Sequence, residues 1–207
     1  MRRNFIRRTR KLTRYFKDRN VVVMMCEVLV DVLDHKSGSM SSKRWKQAII
    51  NTPGGASVLP YFRGTDKNWY VLMVEQFRPA IDSVTLEAAG GMVTRGMKVK
   101  QVMAKELFEE AGIRVNPKSI EMVFKEYCLP QLINSFAWGG IIEIKEYQLP
   151  NSLRHGVLKE GEYTVVSVLQ LSRLLEERKS RKIKLDLWTS RLIDEVVRKI
   201  KRASKAL

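Results

Sequence analysis

A glycine pair followed by a helical pattern, in residues 87–113, constrains the fold of this chain more than any other feature. The stretch reads EAAGGMVTRGMKVKQVMAKELFEEAGI. Apolar residues recur at helical spacing from Lys98 onward, and Gly112 follows as a stop, which predicts a helix of roughly fourteen residues. Gly90 and Gly91 come directly after the strand-like TLEAA. Glycines at this point allow the backbone to approach a neighbour or a ligand closely.

The predicted helix carries three glutamates on one side, at positions i, i+3 and i+4: Glu106, Glu109 and Glu110. Their Cβ atoms would lie within about 6 Å, and each like-charged pair would cost roughly 0.2–0.5 kcal/mol unless a cation compensates. Oxygen ligands in this arrangement suit a hard divalent cation such as Mg²⁺. From these residues alone a second interpretation stays open, in which the glutamates are an ordinary solvated helix face.

Strand patterns surround this helix and predict a mixed α/β domain. Before it, β-branched and apolar runs separated by turns favour antiparallel strands. The predicted strands, in chain order, are VVVMMCEVLVDVLDH, KRWKQAIINT, ASVLPYF, WYVLMVEQFR, IEMVFKEYC, SFAWGGIIEI and YTVVSVLQL. Two further helices are predicted at SRLLEERKS and at the amphipathic DLWTSRLIDEVVRKIKRA.

Composition limits the class of protein. A chain of 207 residues with 44% hydrophobic content suits one globular domain with a small accessory layer. We find no run of about 18 uncharged apolar residues, so we expect no membrane span and a soluble chain. Cys26 and Cys128 have apolar neighbours and no metal-site or disulfide spacing, and we interpret both as reduced core residues.

The charge is strongly positive, with 38 Lys and Arg against 22 Asp and Glu, a formal net charge of +16. Much of the excess lies at the two ends, beginning with MRRNFIRRTRKLTRYFKDR. Three interpretations of these ends stay open: a solvated tail, contact with nucleic acid or another anionic surface, and organelle targeting. We expect a cytoplasmic protein, with a mitochondrial location as the alternative.

The spacing of the glycine, the helix and the glutamates resembles the signature box of the Nudix hydrolases, G-x5-E-x7-R-E-U-x-E-E-x-G-U with U aliphatic. Gly91 aligns with the first glycine, and KELFEEAGI at residues 105–113 aligns with the end of the box. Two positions depart from the pattern, because Met97 replaces the first glutamate and Lys105 replaces the arginine. The resemblance implies that the salt bridge between those two positions, which braces loop against helix, is lost.

What the Nudix resemblance implies for a metal site can be carried over residue by residue. The box in that family holds Mg²⁺ or Mn²⁺ on a loop-helix-loop segment. The implied ligands are Glu106, Glu109 and Glu110, with the Gly90 carbonyl as a further oxygen donor. Glu109 and Glu110 are also the implied catalytic glutamates of the box.

Outside the box, VEQFRPA, TLEAAGG and IKLDLWTSRLI are similar to segments of the ADP-ribose and nucleoside-diphosphate-sugar pyrophosphatases. This similarity places Arg78 near substrate phosphates, which suit a guanidinium fork, and Glu87 near the metal. The alternative for Arg78 is an ion pair with Glu75 or Glu87. EGEYTVV corresponds in position to an acidic loop that supplies the general base, so that Glu160 and Glu162 are the candidates; a solvated turn is the alternative.

The resemblance implies a Nudix fold, a mixed β-sheet sandwiched by helices, with an N-terminal antiparallel β accessory layer. The expected divisions are a basic segment at 1–20, a dimerising β subdomain at 21–60 and the hydrolase domain at 61–207. The expected activity is Mg²⁺-dependent hydrolysis of ADP-ribose or a nucleotide sugar by a homodimer. The alternative is an RNA-associated Nudix protein, either a 5′-pyrophosphohydrolase or a silent ribonucleoprotein component.

Overall fold

The computed structural model of the protein describes residues 5–17, 21–33, 40–149, 154–155 and 164–205. The chain forms two compact units. The smaller unit consists of Met1–Pro53 and Tyr127–Phe136, and the larger unit consists of Gly54–Glu126 and Ala137–Leu207.

The strands of the described residues are numbered along the chain. They are β1 (Phe5–Lys17), β2 (Val22–Leu33), β3 (Met40–Asn51), β4 (Gly55–Arg63), β5 (Trp69–Arg78), β6 (Ser83–Glu87), β7 (Ala89–Met92), β8 (Glu121–Tyr127), β9 (Ile133–Asn134), β10 (Phe136–Glu143), β11 (Arg154–His155) and β12 (Thr164–Gln170). The α-helices are α1 (Val99–Ala111), α2 (Leu171–Lys179) and α3 (Leu187–Lys205). Each predicted strand and helix is therefore confirmed, with small differences at the ends.

The smaller unit is a four-stranded sheet in the order β1-β2-β3-β9. The long strands pair antiparallel, and only the short β9 runs parallel to its neighbour β3. Strand β1 lies within the basic leader, for which sequence analysis predicted no strand. Its backbone pairs with β2 from Phe5 opposite Val32 to Lys17 opposite Val22. Cationic residues are common on edge strands, where they prevent sheets from joining, so this composition is compatible with strand structure.

The larger unit is built on an eight-stranded sheet in which β11, β12, β5, β4, β10 and β8 follow one another. Strand β6 pairs with β5 and β7 pairs with β4. Most pairs are antiparallel, but β10 runs parallel to β4. The predicted mixed α/β class is therefore confirmed, and the mixed character of this sheet comes from a long-range pairing.

Both faces of the central strand β4 are covered. Val58 belongs to a buried cluster with Val102, Met103 and Leu107 of α1. Leu59, the next residue, points to the opposite face because strand side chains alternate. It is fully buried, and helix α3 packs against β4. Helices thus enclose the strand that lies beside the glycine pair.

Helix α1 begins and ends where the sequence predicts. The backbone N–H of Lys98 donates to the Gln101 side chain at 3.0 Å, which satisfies a donor just before the first turn. At the other end Gly112 adopts the left-handed conformation, with φ of 69°. Its N–H donates to the Phe108 carbonyl, so glycine provides the stop that a residue with a side chain adopts only under strain.

Within the described residues, Cys26 and Cys128 are both free thiols, and Cys26 is buried. None of the helices in these same residues combines the length and hydrophobicity that a bilayer crossing requires.

The first prediction concerns the packing of β10 against β8. A Cβ added to Gly139 would lie 2.7 Å from Phe124 Cδ1, and closer still to two other atoms of that buried ring. Gly139→Ala should therefore lower the free energy of unfolding by about 1–3 kcal/mol through overpacking. Gly55→Ala on the paired strand β4 is the control, because its nearest atom would be 3.9 Å away. Urea titration of both variants should show a change only for the first, and equal stabilities would contradict this packing.

Candidate active site

The glycine pair lies where three elements of the larger unit meet. Gly90 and Gly91 belong to β7, which pairs with β4 on one side and packs against α1 on the other. A Cβ on Gly90 would lie 2.7 Å from the Ala56 carbonyl oxygen, and one on Gly91 would lie 2.6 Å from Glu106 Cδ. A side chain at Gly90 would collide with backbone atoms of β4, and one at Gly91 would displace the Glu106 carboxyl group, so the two glycines bring the backbone close to α1.

Glu110 anchors the glycine strand to the helix. Its carboxylate is buried, 4% exposed, and accepts the Gly90 N–H at 2.8 Å. The Glu110 backbone carbonyl also accepts the hydroxyl of Thr164 on β12 at 2.9 Å. Through these two bonds Glu110 joins β7, α1 and β12, and a hydrogen bond to a charged group is among the stronger kinds in proteins.

Glu106 and Glu109 approach one cationic atom, the ammonium nitrogen of Lys105. Lys105 Nζ lies 3.4 Å from Glu106 Oε1 and donates a short hydrogen bond to Glu109 Oε2. Burial alone would lower the pKa of Lys105, but the hydrogen bond to Glu109 and the charges of both glutamates outweigh it and raise the pKa. The ammonium therefore stays charged at neutral pH and is shared by two carboxylates.

Arg78 and Glu87 form a forked ion pair at the end of the β5–β6 hairpin. Arg78 Nε donates to Glu87 Oε1 at 2.6 Å, and a second guanidinium nitrogen donates to Oε2. The Thr85 hydroxyl donates to the same carboxylate at 2.5 Å. Burial would raise the pKa of Glu87, but the Arg78 and Thr85 hydrogen bonds overcome this effect and hold the pKa below its usual value.

This ion pair is one of the alternatives that the sequence left open for Arg78. The other candidate partner, Glu75, instead accepts a hydrogen bond from Ser167. The Arg78 side chain is 45% exposed, whereas that of Glu87 is only 9% exposed. Arg78 thus has a solvent-facing side from which it can reach a phosphate while Glu87 holds its other side.

Two further residues of the site, Asp186 and Thr189, were missed by sequence analysis. Asp186 immediately precedes α3 and accepts the Thr189 N–H at 2.6 Å, as an N-cap does. The buried Thr189 hydroxyl accepts the Ala88 N–H at 2.8 Å. The Asp186 carboxyl group also lies close enough to that of Glu87 for each to change the pKa of the other. The aspartate before an amphipathic pattern, in DLWTSRLI, was a signal for the cap but carried no information about its distant partners.

The environment of Asp186 differs from that of Glu87 although the two carboxyl groups touch. Burial raises the pKa of Asp186, the Thr189 N–H opposes this, and the charge of Glu87 adds to the rise. When two carboxyl groups lie side by side, the negative charge of one disfavours ionisation of the other, so their pKa values differ. The pKa of Asp186 is thus raised mainly by burial, whereas the hydrogen bonds from Arg78 and Thr85 lower that of Glu87.

The structure brings Gly90, Glu106, Glu109 and Glu110 to one end of α1, and Arg78 and Glu87 to the neighbouring hairpin. It does not gather the three α1 carboxylates around one point. Within the described residues no three His, Cys, Asp or Glu side chains form a group that could hold a metal ion. Glu160 and Glu162, the predicted general bases, lie outside the described residues.

The donor chemistry of the Lys105 position nevertheless fits a hard divalent cation. Two carboxylates, those of Glu106 and Glu109, already share one positive atom there. Mg²⁺ in proteins often takes only one or two carboxylates, and waters or substrate phosphate oxygens complete its shell. Glu106 and Glu109 therefore fit a divalent cation, whereas the Glu110 carboxylate accepts a hydrogen bond from the backbone of β7.

The departures from the signature box are also visible. Met97 is partly buried and packs against the hydrophobic core around α1. It offers no charge to Lys105, whose partners are the two glutamates on its own helix.

No family model matches this chain, and no curated protein matches its sequence.

The second prediction concerns Glu87 and pH. Because the folded-state pKa of Glu87 lies below its unfolded value, its stabilising effect is complete above the unfolded pKa of about 4.3 and is lost as pH falls through the folded pKa. Glu87→Gln should lower the free energy of unfolding at pH 7 by about 1–3 kcal/mol. The difference from the wild-type protein should shrink as pH falls below the unfolded pKa of about 4.3.

Guanidinium titrations at pH 7, 5, 4 and 3 would measure this difference. Glu143→Gln, at an exposed glutamate of β10, is the matched control and should stay within about 0.5 kcal/mol of wild type throughout. A Glu87→Gln deficit that is the same at pH 3 as at pH 7 would contradict the ion pair as the source of the stability.

Proposed function

We propose that this protein is a divalent-cation-dependent hydrolase of the diphosphate linkage in ADP-ribose or a nucleotide sugar. The observation that carries the proposal is the meeting of the Glu106 and Glu109 carboxylates at one cationic atom, beside a glycine strand with no room for side chains. The spacing of the Nudix-like box in the sequence gives independent support, since the same glutamates occupy its acidic positions.

The position of the glutamates on the helix supports a need for added positive charge. Glu106, Glu109 and Glu110 all lie toward the C-terminal end of α1, where the helix dipole is negative and acidic side chains are unfavourable. The last turn contains no basic residue. Glu110 holds the Gly90 N–H, and a bound cation would offset the charges of the other two glutamates.

Glu106 and Glu109 are the residues that would hold the divalent cation, which would neutralise the diphosphate and lower the pKa of an attacking water. Arg78 would pair its exposed side with phosphate oxygens while Glu87 keeps the guanidinium in place. Glu110 would keep the glycine strand fixed to α1. A glutamate base, Glu160 or Glu162, would take the proton of the water.

In this reaction the water oxygen bonds to one phosphorus atom and the bridging P–O bond breaks. The products are a nucleoside monophosphate and the phosphate ester of the second group. The oxygen that bridged the two phosphorus atoms leaves on the other phosphate, and no oxidant or reductant is required.

The third prediction tests this activity. With Mg²⁺ or Mn²⁺ and a panel of ADP-ribose and nucleotide sugars, we expect turnover, measured as phosphate released from the products by alkaline phosphatase. Glu109→Gln should reduce the rate by about 100-fold or more, since even changes behind a metal ligand cost about 10- to 100-fold. Glu176→Gln, at an exposed glutamate of α2, is the control and should retain the wild-type rate.

Two outcomes would contradict the proposal. One is the absence of turnover for every substrate of the panel with either metal ion. The other is an undiminished rate in Glu109→Gln, which would place the reaction elsewhere in the molecule.

A second candidate function, association with RNA, is favoured by the smaller unit. Its edge strand β1 has the sequence FIRRTRKLTRYFK, and the whole chain has a net charge of +16. An edge strand rich in cations is suited to follow a phosphate backbone, and each neutralised phosphate releases counterions. A silent or RNA-directed Nudix-like protein would combine this strand with the altered Met97 and Lys105 positions.

The fourth prediction distinguishes this candidate. A fluorescently labelled single-stranded RNA should bind with nanomolar to micromolar affinity near physiological salt, and the affinity should fall steeply as salt rises. Replacing Arg7, Arg8 and Arg10 together by Gln should reduce the slope of log K against log salt by about 0.7 for each phosphate that is no longer neutralised. Fluorescence polarisation that detects no micromolar binding at physiological salt would remove RNA association as a function.

A further inference from the structure

The ammonium of Lys105 occupies the position that a bound cation would need. Its Nζ lies 3.4 Å from Glu106 Oε1 and also bonds Glu109 Oε2. The Glu106 side chain is 12% exposed and that of Glu109 is 28% exposed, while 43% of the lysine side chain faces solvent. The lysine therefore reaches from the surface into the space between two carboxylates that are more enclosed than itself.

Helix stability does not account for this contact. Lys105 and Glu109 form an i, i+4 pair in the less favourable order, because glutamate preceding lysine is the order that stabilises helices best. The contact with Glu106 joins adjacent residues, which normally face away from each other on a helix. The lysine adopts this position because two partly desolvated carboxylates attract the nearest positive charge.

In the proposed function the same two carboxylates bind the divalent metal ion. The Lys105 ammonium and the metal ion would therefore share one pair of ligands. An ammonium and a divalent cation at the same oxygens repel each other and compete for the same lone pairs. Unlike a free ion, the ammonium is tethered by its own side chain and is always present at high local concentration. Its partial exposure gives it an open route to solvent when it is displaced.

We propose that Lys105 is a built-in competitor of the divalent cation, holding Glu106 and Glu109 together until a metal ion displaces it. This inference rests on the proposed function, because it assumes that the two glutamates bind metal. It assigns to Lys105 a regulatory role: it sets the concentration of divalent cation at which the site loads. It also compensates part of the negative charge of the pair when the cation concentration is low.

The experiment compares metal binding by full-length variants and does not depend on catalysis. Lys105→Met removes the charge and keeps a straight side chain with good helix propensity. Lys100→Met, at a partly exposed lysine in the first turn of the same helix, is the matched control. Mn²⁺ binding is measured by isothermal titration calorimetry and by the decrease of the free Mn²⁺ signal in electron paramagnetic resonance.

We expect Lys105→Met to bind Mn²⁺ roughly three- to thirty-fold more tightly than wild type, the range that removal of two partly exposed ion pairs allows. The thermal shift caused by saturating Mn²⁺ should also be larger in this variant, because the metal then replaces a missing charge. Lys100→Met should match wild type in both measurements. Lys105→Gln provides a second neutral variant with the same expected direction should Lys105→Met fold poorly.

The possible failures are distinguishable. Equal or weaker Mn²⁺ binding by the two neutral Lys105 variants would overturn the competitor role, while binding by wild type that disappears in Glu109→Gln would leave the proposed function standing. Absence of Mn²⁺ binding by wild type and by the Lys105 variants would overturn both.

Discussion

The close approach of Gly90 and Gly91 to their neighbours sets the geometry on which the candidate site depends. On one side the Gly90 α-carbon lies against β4, where an added Cβ would lie 2.9 Å from Ser57 Cα. On the other side the Gly91 α-carbon lies against the Glu106 carboxyl group. Because neither glycine has a side chain, β7 lies close to both β4 and α1. Its backbone polar groups are therefore within hydrogen-bonding distance of the α1 carboxylates. The bond from the Gly90 N–H to Glu110 is the direct result.

This tight packing has an electrostatic consequence. Carboxylates toward the negative end of a helix are unfavourable unless positive groups lie near them. Lys105 bonds Glu106 and Glu109, and the charges of Arg78 and Glu110 attract each other. The chain as a whole has the opposite balance, with a net charge of +16. A strongly cationic protein attracts polyanions such as diphosphates and RNA over long distances. The acidic cluster on α1 is therefore a local exception to the charge of the chain as a whole.

Local patterns in the sequence were sufficient to predict α1, its stop at Gly112 and the strands around it, because periodicity and glycine chemistry act over a few residues. The parallel pairing of β10 with β4 was not predictable in this way, since it joins segments that are distant in sequence. Strand β1 was missed because its charges suggested a solvated tail, whereas its structure depends on pairing with β2. The glutamates of α1 were predicted to converge on one metal ion, but the partners they have depend on the orientation of each side chain. Lys105 forms ion pairs with Glu106 and Glu109, and the Gly90 N–H donates a hydrogen bond to Glu110.

The contacts of α3 show why a site of this kind extends beyond its signature segment. The Ala88 N–H, immediately after Glu87, is bound by Thr189, a residue 101 positions later in the chain. Thr189 also donates to Asp186, whose carboxyl group lies beside that of Glu87, so the start of α3 contacts both the backbone and the side chain of this strand end. Glu87 in turn holds Arg78. The Arg78–Glu87 pair thus lies beside the start of α3, whereas the Glu106, Glu109 and Glu110 carboxylates belong to α1.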